Sequence, residues 1–156
     1  MDDPLGFITR FCRLALEGNH SELQSFIEEI KWLKVANDIS LDSLTLSPQD
    51  VEDILNNRAM VPSPKELASV FVPDASGQKL TALMAAAKNG HAEVTKVLLE
   101  ECEPDLSEEG TVNIEQHIIE GASALWCAAG NGHLAVVRLL VDAGADVNQT
   151  SDDSLP

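Results

Sequence analysis

The chain has 156 residues, 44% of them hydrophobic and 4% aromatic with no Tyr. That is enough for one continuous core built from Leu, Val, Ile and Ala, and it rules out a chain disordered throughout. Ten Lys and Arg stand against 26 Asp and Glu, a formal charge of −16, which repels nucleic acid and anionic membranes and draws in basic peptides.

Cys12, Cys102 and Cys127 are too scattered for a disulfide framework and form no C-x-x-C pair. Cys102, His117 and Cys127 offer metal-ligand types without metal-ligand spacing, so no metal and no cofactor is expected. The acidic start Met1-Asp2-Asp3-Pro4 is the opposite of a signal peptide, which makes cytoplasm or nucleus the expected location.

In chain order, the first predicted unit is a helix pair over residues 3–32. Cys12-Arg13-Leu14-Ala15-Leu16-Glu17-Gly18-Asn19-His20 leads into Ser21-Glu22-Leu23-Gln24-Ser25-Phe26-Ile27. It is a degenerate copy of a unit that is clearer further on, with Ala15, Leu23, Phe26 and Ile27 set against Ala86, Val94, Val97 and Leu98. Terminal repeats are atypical because one face meets water. Residues 33–76 read as an insertion of loops and two short helices. Leu41 to Thr45 is loop, and Ser47-Pro48-Gln49-Asp50 starts a helix ahead of Val51, Ile54 and Leu55. Ser63-Pro64-Lys65-Glu66 is a capping box before Leu67, Val70 and Phe71, with Pro73 as the stop.

Residues 77–150 carry the repeat itself. Leu83-Met84-Ala85-Ala86-Ala87-Lys88-Asn89-Gly90-His91 returns as Leu125-Trp126-Cys127-Ala128-Ala129-Gly130-Asn131-Gly132-His133. Each copy runs into a helix with Val and Leu at i, i+3 and i+4, over 92–99 and 134–141. The Ala-rich first helix has a thin face that lets a neighbour approach, and Asn-Gly supplies the turn. With the closing Gly144-Ala145-Asp146-Val147-Asn148, this unit resembles the ankyrin repeat. The two copies are offset by roughly nine residues more than the ankyrin period of about 33. The surplus lies in 103–120, which becomes a lengthened finger; in ankyrin arrays such fingers project on the concave, ligand-facing side. The expected fold is all-α: an ankyrin-repeat solenoid with a long inter-repeat finger and an N-terminal helical insertion.

At the finger, Gly110-Thr111-Val112-Asn113-Ile114-Glu115 followed by Ile119-Glu120-Gly121-Ala122-Ser123-Ala124-Leu125-Trp126 closely resembles the Fem (feminization) family. The resemblance implies an ankyrin-repeat substrate receptor of a cullin-RING ubiquitin ligase, recognising C-terminal degrons that end in or near Arg. It implies that Glu115 receives the degron's guanidinium. Where the family carries Phe-Asp-Gly, this chain has Ile114-Glu115-Gln116, which keeps the acid and loses the aromatic and the glycine. His117 and Trp126 are further candidates for ligand contact, Trp126 by stacking or alternatively by packing between repeats. His91 and His133 are expected to bridge backbone groups of neighbouring loops.

The acidic run Glu100, Glu101, Glu103, Asp105, Glu108 and Glu109 reads either as a solvated loop or, with Glu115, as a seat for an electropositive ligand. No nucleophile–base pair, phosphate loop or zinc-protease motif appears, so the expectation is a non-catalytic adaptor. Its expected partners are protein or peptide C-termini of basic, Arg-containing character. The family's cullin contact lies in a C-terminal region that this chain does not include. Residues 151–156 read as the start of a next repeat, which makes the chain a fragment, a truncated gene model or a short isoform. The alternative reading is a generic ankyrin scaffold or inhibitor module with no ligase link.

Overall fold

The computed structural model describes residues 6–35, 49, 62–73 and 76–149. The predicted loop at 41–45 and the expected start of a repeat at 151–156 lie outside these residues, as does the helix expected after Ser47 apart from Gln49, which is helical.

Seven helices are described: α1 (Phe7–Glu17), α2 (His20–Val35), α3 (Pro64–Ala68), α4 (Ala82–Asn89), α5 (Ala92–Glu101), α6 (Ala124–Gly130) and α7 (Leu134–Asp142). They form two rows. In one, α4 packs between α1 and α6; in the other, α5 packs between α2 and α7. The pairs α1–α2, α4–α5 and α6–α7 are therefore successive layers of a helical repeat solenoid. The short α3 touches α1, α2 and α5.

Local chemistry accounts for the layers. Thr81, Ser63 and Ser123 each accept a hydrogen bond from the backbone N–H three residues on, fixing the starts of α4, α3 and α6. Ala82, Ala86, Ala87, Ala124 and Ala128 are buried, and these small side chains allow the close approach of α4 and α6. The outer helices contribute the bulk: Val94, Leu98, Val136 and Leu140 are buried, each contributing about 1.5–3 kcal/mol. The first layer uses aromatics instead, with Phe7 stacked on Phe26 at 6.0 Å and the Arg10 guanidinium 4.3 Å from the Phe26 ring centre.

Consecutive layers are stitched by an imidazole. Nε2 of His91 lies 2.9 Å from the Leu16 carbonyl oxygen, and Nε2 of His133 lies 2.9 Å from that of Lys88, the bridging expected of both. Each ring sits over a glycine of the preceding layer. A Cβ on Gly18 would come within 2.6 Å of His91 Nδ1, and one on Gly90 within 2.6 Å of His133 Nδ1. Both glycines also hold a left-handed φ, 77° and 75°, so the position excludes a side chain twice over.

Three expectations need correction. First, the fold is not all-α. Four strands, β1 (Val72–Pro73), β2 (Lys79–Leu80), β3 (Gly110–Ile114) and β4 (His117–Ala122), form an antiparallel sheet in the order β1-β2-β3-β4. The finger is a β-hairpin, because Val112 and Ile119 alternate with more exposed neighbours at period two and are buried as a cross-strand pair. Second, α3 is shorter than the apolar pattern through Val70 and Phe71 suggested. It stops at Ala68, and Val72–Pro73 pairs with β2, so strand pairing rather than Pro73 ends the helical stretch. Third, the first layer aligns one residue away from the expected register. The αL cap falls at Gly18, with N–H bonds to Ala15 and Leu14, as Gly90 caps onto Ala87 and Ala86. Asn19 thus stands where His91 and His133 stand, and its Oδ1 accepts from the Glu22 N–H at 3.3 Å, capping its own helix.

Candidate functional site

The finger is anchored at its base before anything is presented at its tip. Lys79 pairs with Thr111, joining β3 to the preceding hairpin. Gly110 fits only without a side chain, since a Cβ there would lie 2.5 Å from the Lys79 carbonyl oxygen and 2.8 Å from Met84 Sδ. The Asn113 side-chain amide donates to the Ser76 carbonyl at 2.7 Å, and its backbone N–H donates to Gln78 Oε1 at 3.2 Å. The same Gln78 oxygen accepts from Lys88 Nζ on α4. Near the foot of β4 one residue of β3, Thr111, faces two of β4, Glu120 and Gly121, a bulge that Gly121 accommodates at φ 74°.

Ile114 pairs with His117, leaving Glu115 and Gln116 as a two-residue turn. Their φ values are 50° and 70°, the combination of a type I′ turn, which favours Asn or Asp followed by Gly. Neither residue here is of that kind, so the tip is held in a conformation costing about 1 kcal/mol or more per residue. The effect is to aim two adjacent polar side chains outward from the end of a tethered hairpin. Glu115, Gln116 and His117 are all exposed.

Trp126 lies elsewhere. It is the third residue of α6, its N–H donates to Ser123 Oγ at 3.1 Å, and its half-buried ring packs on the core. The six residues of β4 separate it from the tip, about 20 Å at strand rise. Glu115 and His117 therefore share one tip, while Trp126 sits at the finger's foot. A ligand touching all three would be an extended segment several residues long.

Most of the acidic run is engaged inside the chain. Glu101 pairs with Lys31, which also lies 3.5 Å from Glu28. Asp105 accepts from the Ser107 hydroxyl at 2.6 Å and N–H at 2.9 Å, and these bonds hold its carboxyl below the usual range. Burial pushes the Glu108 carboxyl up, reinforced by Asp105 and opposed by a hydrogen bond with Ser69. Glu109 accepts from Gln149 Nε2 at 3.0 Å. These residues shape the loop leading into the finger, and Glu115 and Glu120 remain the exposed acids of the hairpin. The thiols of Cys102 and Cys127 are buried, and that burial pushes both up to about 12. Sequence reasoning overlooked Gln78, which ties β3 to α4; its signal lay in the preceding finger, outside the repeat motif.

Layered helix pairs with hairpin fingers and imidazole stitches define a class of protein-binding repeat. A family model of ankyrin repeats, in three copies, matches residues 53–151, and the chain belongs to the ankyrin-repeat family. Ankyrin repeats bind proteins, and this chain is a protein-interaction module.

Within that class the chain is similar to the fem-1 proteins. It is 37% identical over 71 residues to a fem-1 homolog of Drosophila melanogaster, covering 46% of this chain and 11% of that protein. It is 46% identical over 71 residues to the sex-determining protein fem-1 of Caenorhabditis elegans, covering 45% and 11%. It is 44% identical over 71 residues to fem-1 homolog C of Xenopus laevis, covering 46% and 12%. The matched segment thus spans about a tenth of these relatives' length, and the expected Fem-family resemblance is borne out. No helix among the described residues is long and apolar enough to cross a membrane.

Proposed function

We propose that the chain is part of a substrate-recognition subunit of a cullin-RING ubiquitin ligase, working in the cytoplasm or nucleus. In this reading the finger binds C-terminal degrons carrying Arg, and the cullin is reached through a region outside this chain. The observation that carries the reading is the exposed Glu115 at the end of a hairpin that is tethered at its base and strained at its tip. A carboxylate presented this way can accept two hydrogen bonds from a guanidinium, which selects Arg over Lys by geometry. His117 beside it offers a second polar contact, and Trp126 a flat surface for residues further from the degron's end. The −16 net charge raises the local concentration of basic peptides. Similarity to the fem-1 proteins supports the ligase role.

The test is calorimetric titration of peptides ending in Arg, Lys or Ala against the wild type and Glu115→Ala. Arg-ended peptides should bind the wild type best, and Glu115→Ala should lose about tenfold in affinity for them alone. Equal affinity for all three peptides, or for both proteins, would leave the generic ankyrin scaffold as the better reading.

A further inference from the structure

Among the described residues three cations are half-buried: Arg10, Lys31 and Lys88. Two of them have carboxylate partners, Arg10 with Glu29 at 3.6 Å and Lys31 with Glu101. Lys88 meets no acid among the described residues; its ammonium donates to the neutral amide oxygen of Gln78. A cation drawn partly out of water without a counter-charge is a cost to the fold, here in a chain with 26 Asp and Glu to choose from.

Lys88 is held from both ends. Its carbonyl oxygen lies 2.9 Å from His133 Nε2, which fixes the backbone, and Gln78 draws the ammonium from α4 to the base of the finger. The charge also acts on the Cys127 thiol of α6, so the ammonium sits where α4, α6 and the β2–β3 ladder meet. Because α4 has α1 on one side and α6 on the other, this position is interior to the array and does not depend on what stacks at either end. The Gln78 oxygen also accepts from the Asn113 N–H at 3.2 Å, which puts the ammonium within about 6 Å of the β3 backbone. Glu115 is two residues further along, about 7 Å at strand rise. The half-buried cation at the base and the backbone of the exposed acid at the tip are therefore no more than about 13 Å apart.

We propose that Lys88 is a carboxylate subsite of the peptide-binding face, so that a peptide holding its guanidinium at Glu115 sets a carboxylate against Lys88. An ammonium is a point charge with three donors; one goes to Gln78, and the others serve the carboxylate. The −16 charge repels a carboxylate over most of the surface. The subsite therefore selects a peptide with an acid and an Arg within about three extended residues of each other, not a uniformly basic one. It also sets a direction, with Arg at the tip and the acid toward α4. The acid is either the peptide's terminal carboxylate or an Asp or Glu side chain, and the chemistry at Lys88 is the same for both. The proposal rests on the Glu115 reading for the other end of the peptide and goes beyond it by assigning an anion to a face otherwise suited to cations.

Calorimetric titration of the full chain uses a peptide ending in Arg in three forms: the free acid, the C-terminal amide, and the amide with Glu two residues before the Arg. At least one of the two carboxylate-bearing forms should bind the wild type about tenfold more tightly than the plain amide, and which one does identifies the source of the carboxylate. Lys88→Met should abolish that difference while leaving the affinity of the plain amide unchanged, and Lys88→Arg should keep it. Gln78→Ala removes the tether and leaves the cation, so it should keep the difference too; a Lys88 that only ties the finger to α4 would lose as much by this change as by Lys88→Met. The proposal is overturned if all three forms bind the wild type alike, if Lys88→Met keeps the difference, or if none of the peptides binds. Equal binding of Arg-ended and Ala-ended free acids, with the Lys88-dependent difference kept, would instead sink the Glu115 reading alone.

Discussion

Replacing Gly90 with Ala perturbs the stitch between layers in a way the structure lets one dissect. Gly90 has φ 75°, and an added Cβ would come within 2.6 Å of His133 Nδ1. Gly132 has nearly the same φ, 73°, but among the described residues nothing lies within 4 Å of the position its Cβ would take. The two substitutions therefore share the left-handed backbone cost of about 1–2 kcal/mol. Only Gly90→Ala also displaces the imidazole that bonds the Lys88 carbonyl at 2.9 Å, a loss of about 0.5–1.5 kcal/mol with further cost from the uncovered carbonyl. Gly90→Ala should thus destabilise by about 2–3 kcal/mol and Gly132→Ala by about 1–2 kcal/mol. Urea unfolding of both, with His133→Ala and the double variant to close a cycle, measures the difference. Gly90→Ala added to His133→Ala should then cost only the backbone share. If Gly90→Ala and Gly132→Ala are equally destabilising, the imidazole stitch contributes nothing and the argument fails.

Other outcomes follow from the same structure. The pair Glu115→Asp with Gln116→Gly supplies the residues a type I′ turn favours and should raise stability by about 1 kcal/mol or more in urea unfolding, with the acid kept. Cys102 and Cys127, with thiols moved from 9.0 to about 12, should resist a thiol reagent in the native state at pH 8, whereas half-exposed Cys12 reacts. Because the native state holds these protons more tightly than the unfolded one, their contribution is fully present below pH 9 and is lost as pH rises toward 12. The slope is about 1.4 kcal/mol per pH unit per thiol, checked by unfolding series against Cys102→Ala and Cys127→Ala. Leu98→Ala, at a position with no exposure between α2 and α7, should cost about 2–5 kcal/mol by denaturant midpoint.

The helical layers were legible because their signals are local and doubled. The stripes at 92–99 and 134–141 and the Asn-Gly turns repeat, and repetition fixes where each histidine reaches. The register of the first layer was harder to read, since Asn19 occupies the histidine's place and Arg10, Arg13 and Leu14 stand where Ala82, Ala85 and Ala86 would have set it. The hairpin was harder. Its buried cross-strand pairs are Val112 with Ile119 and the small Gly110 with Ala122, too little apolar alternation to mark strands, and its turn lacks the Asp-Gly that marks a hairpin most clearly. The Phe-Asp-Gly that the family resemblance set against Ile114-Glu115-Gln116 was itself that mark, since the structure puts residues 115 and 116 at positive φ. The separation of Trp126 from Glu115 could not be read before the intervening residues were known to form a strand. Nor could the internal use of Glu101, Glu108 and Glu109, because their partners Lys31, Ser69 and Gln149 come from distant parts of the chain.

The central claim is that this module reads basic peptides with its finger, and amide and indole chemical-shift mapping with an Arg-ended peptide tests it most directly. The account predicts shifts concentrated at residues 111–120, largest at Glu115 and His117, with the Trp126 indole responding only to peptides long enough to reach the finger's foot. Shifts confined to α2, α5 and α7, or identical maps from Arg-ended and Ala-ended peptides, would contradict it.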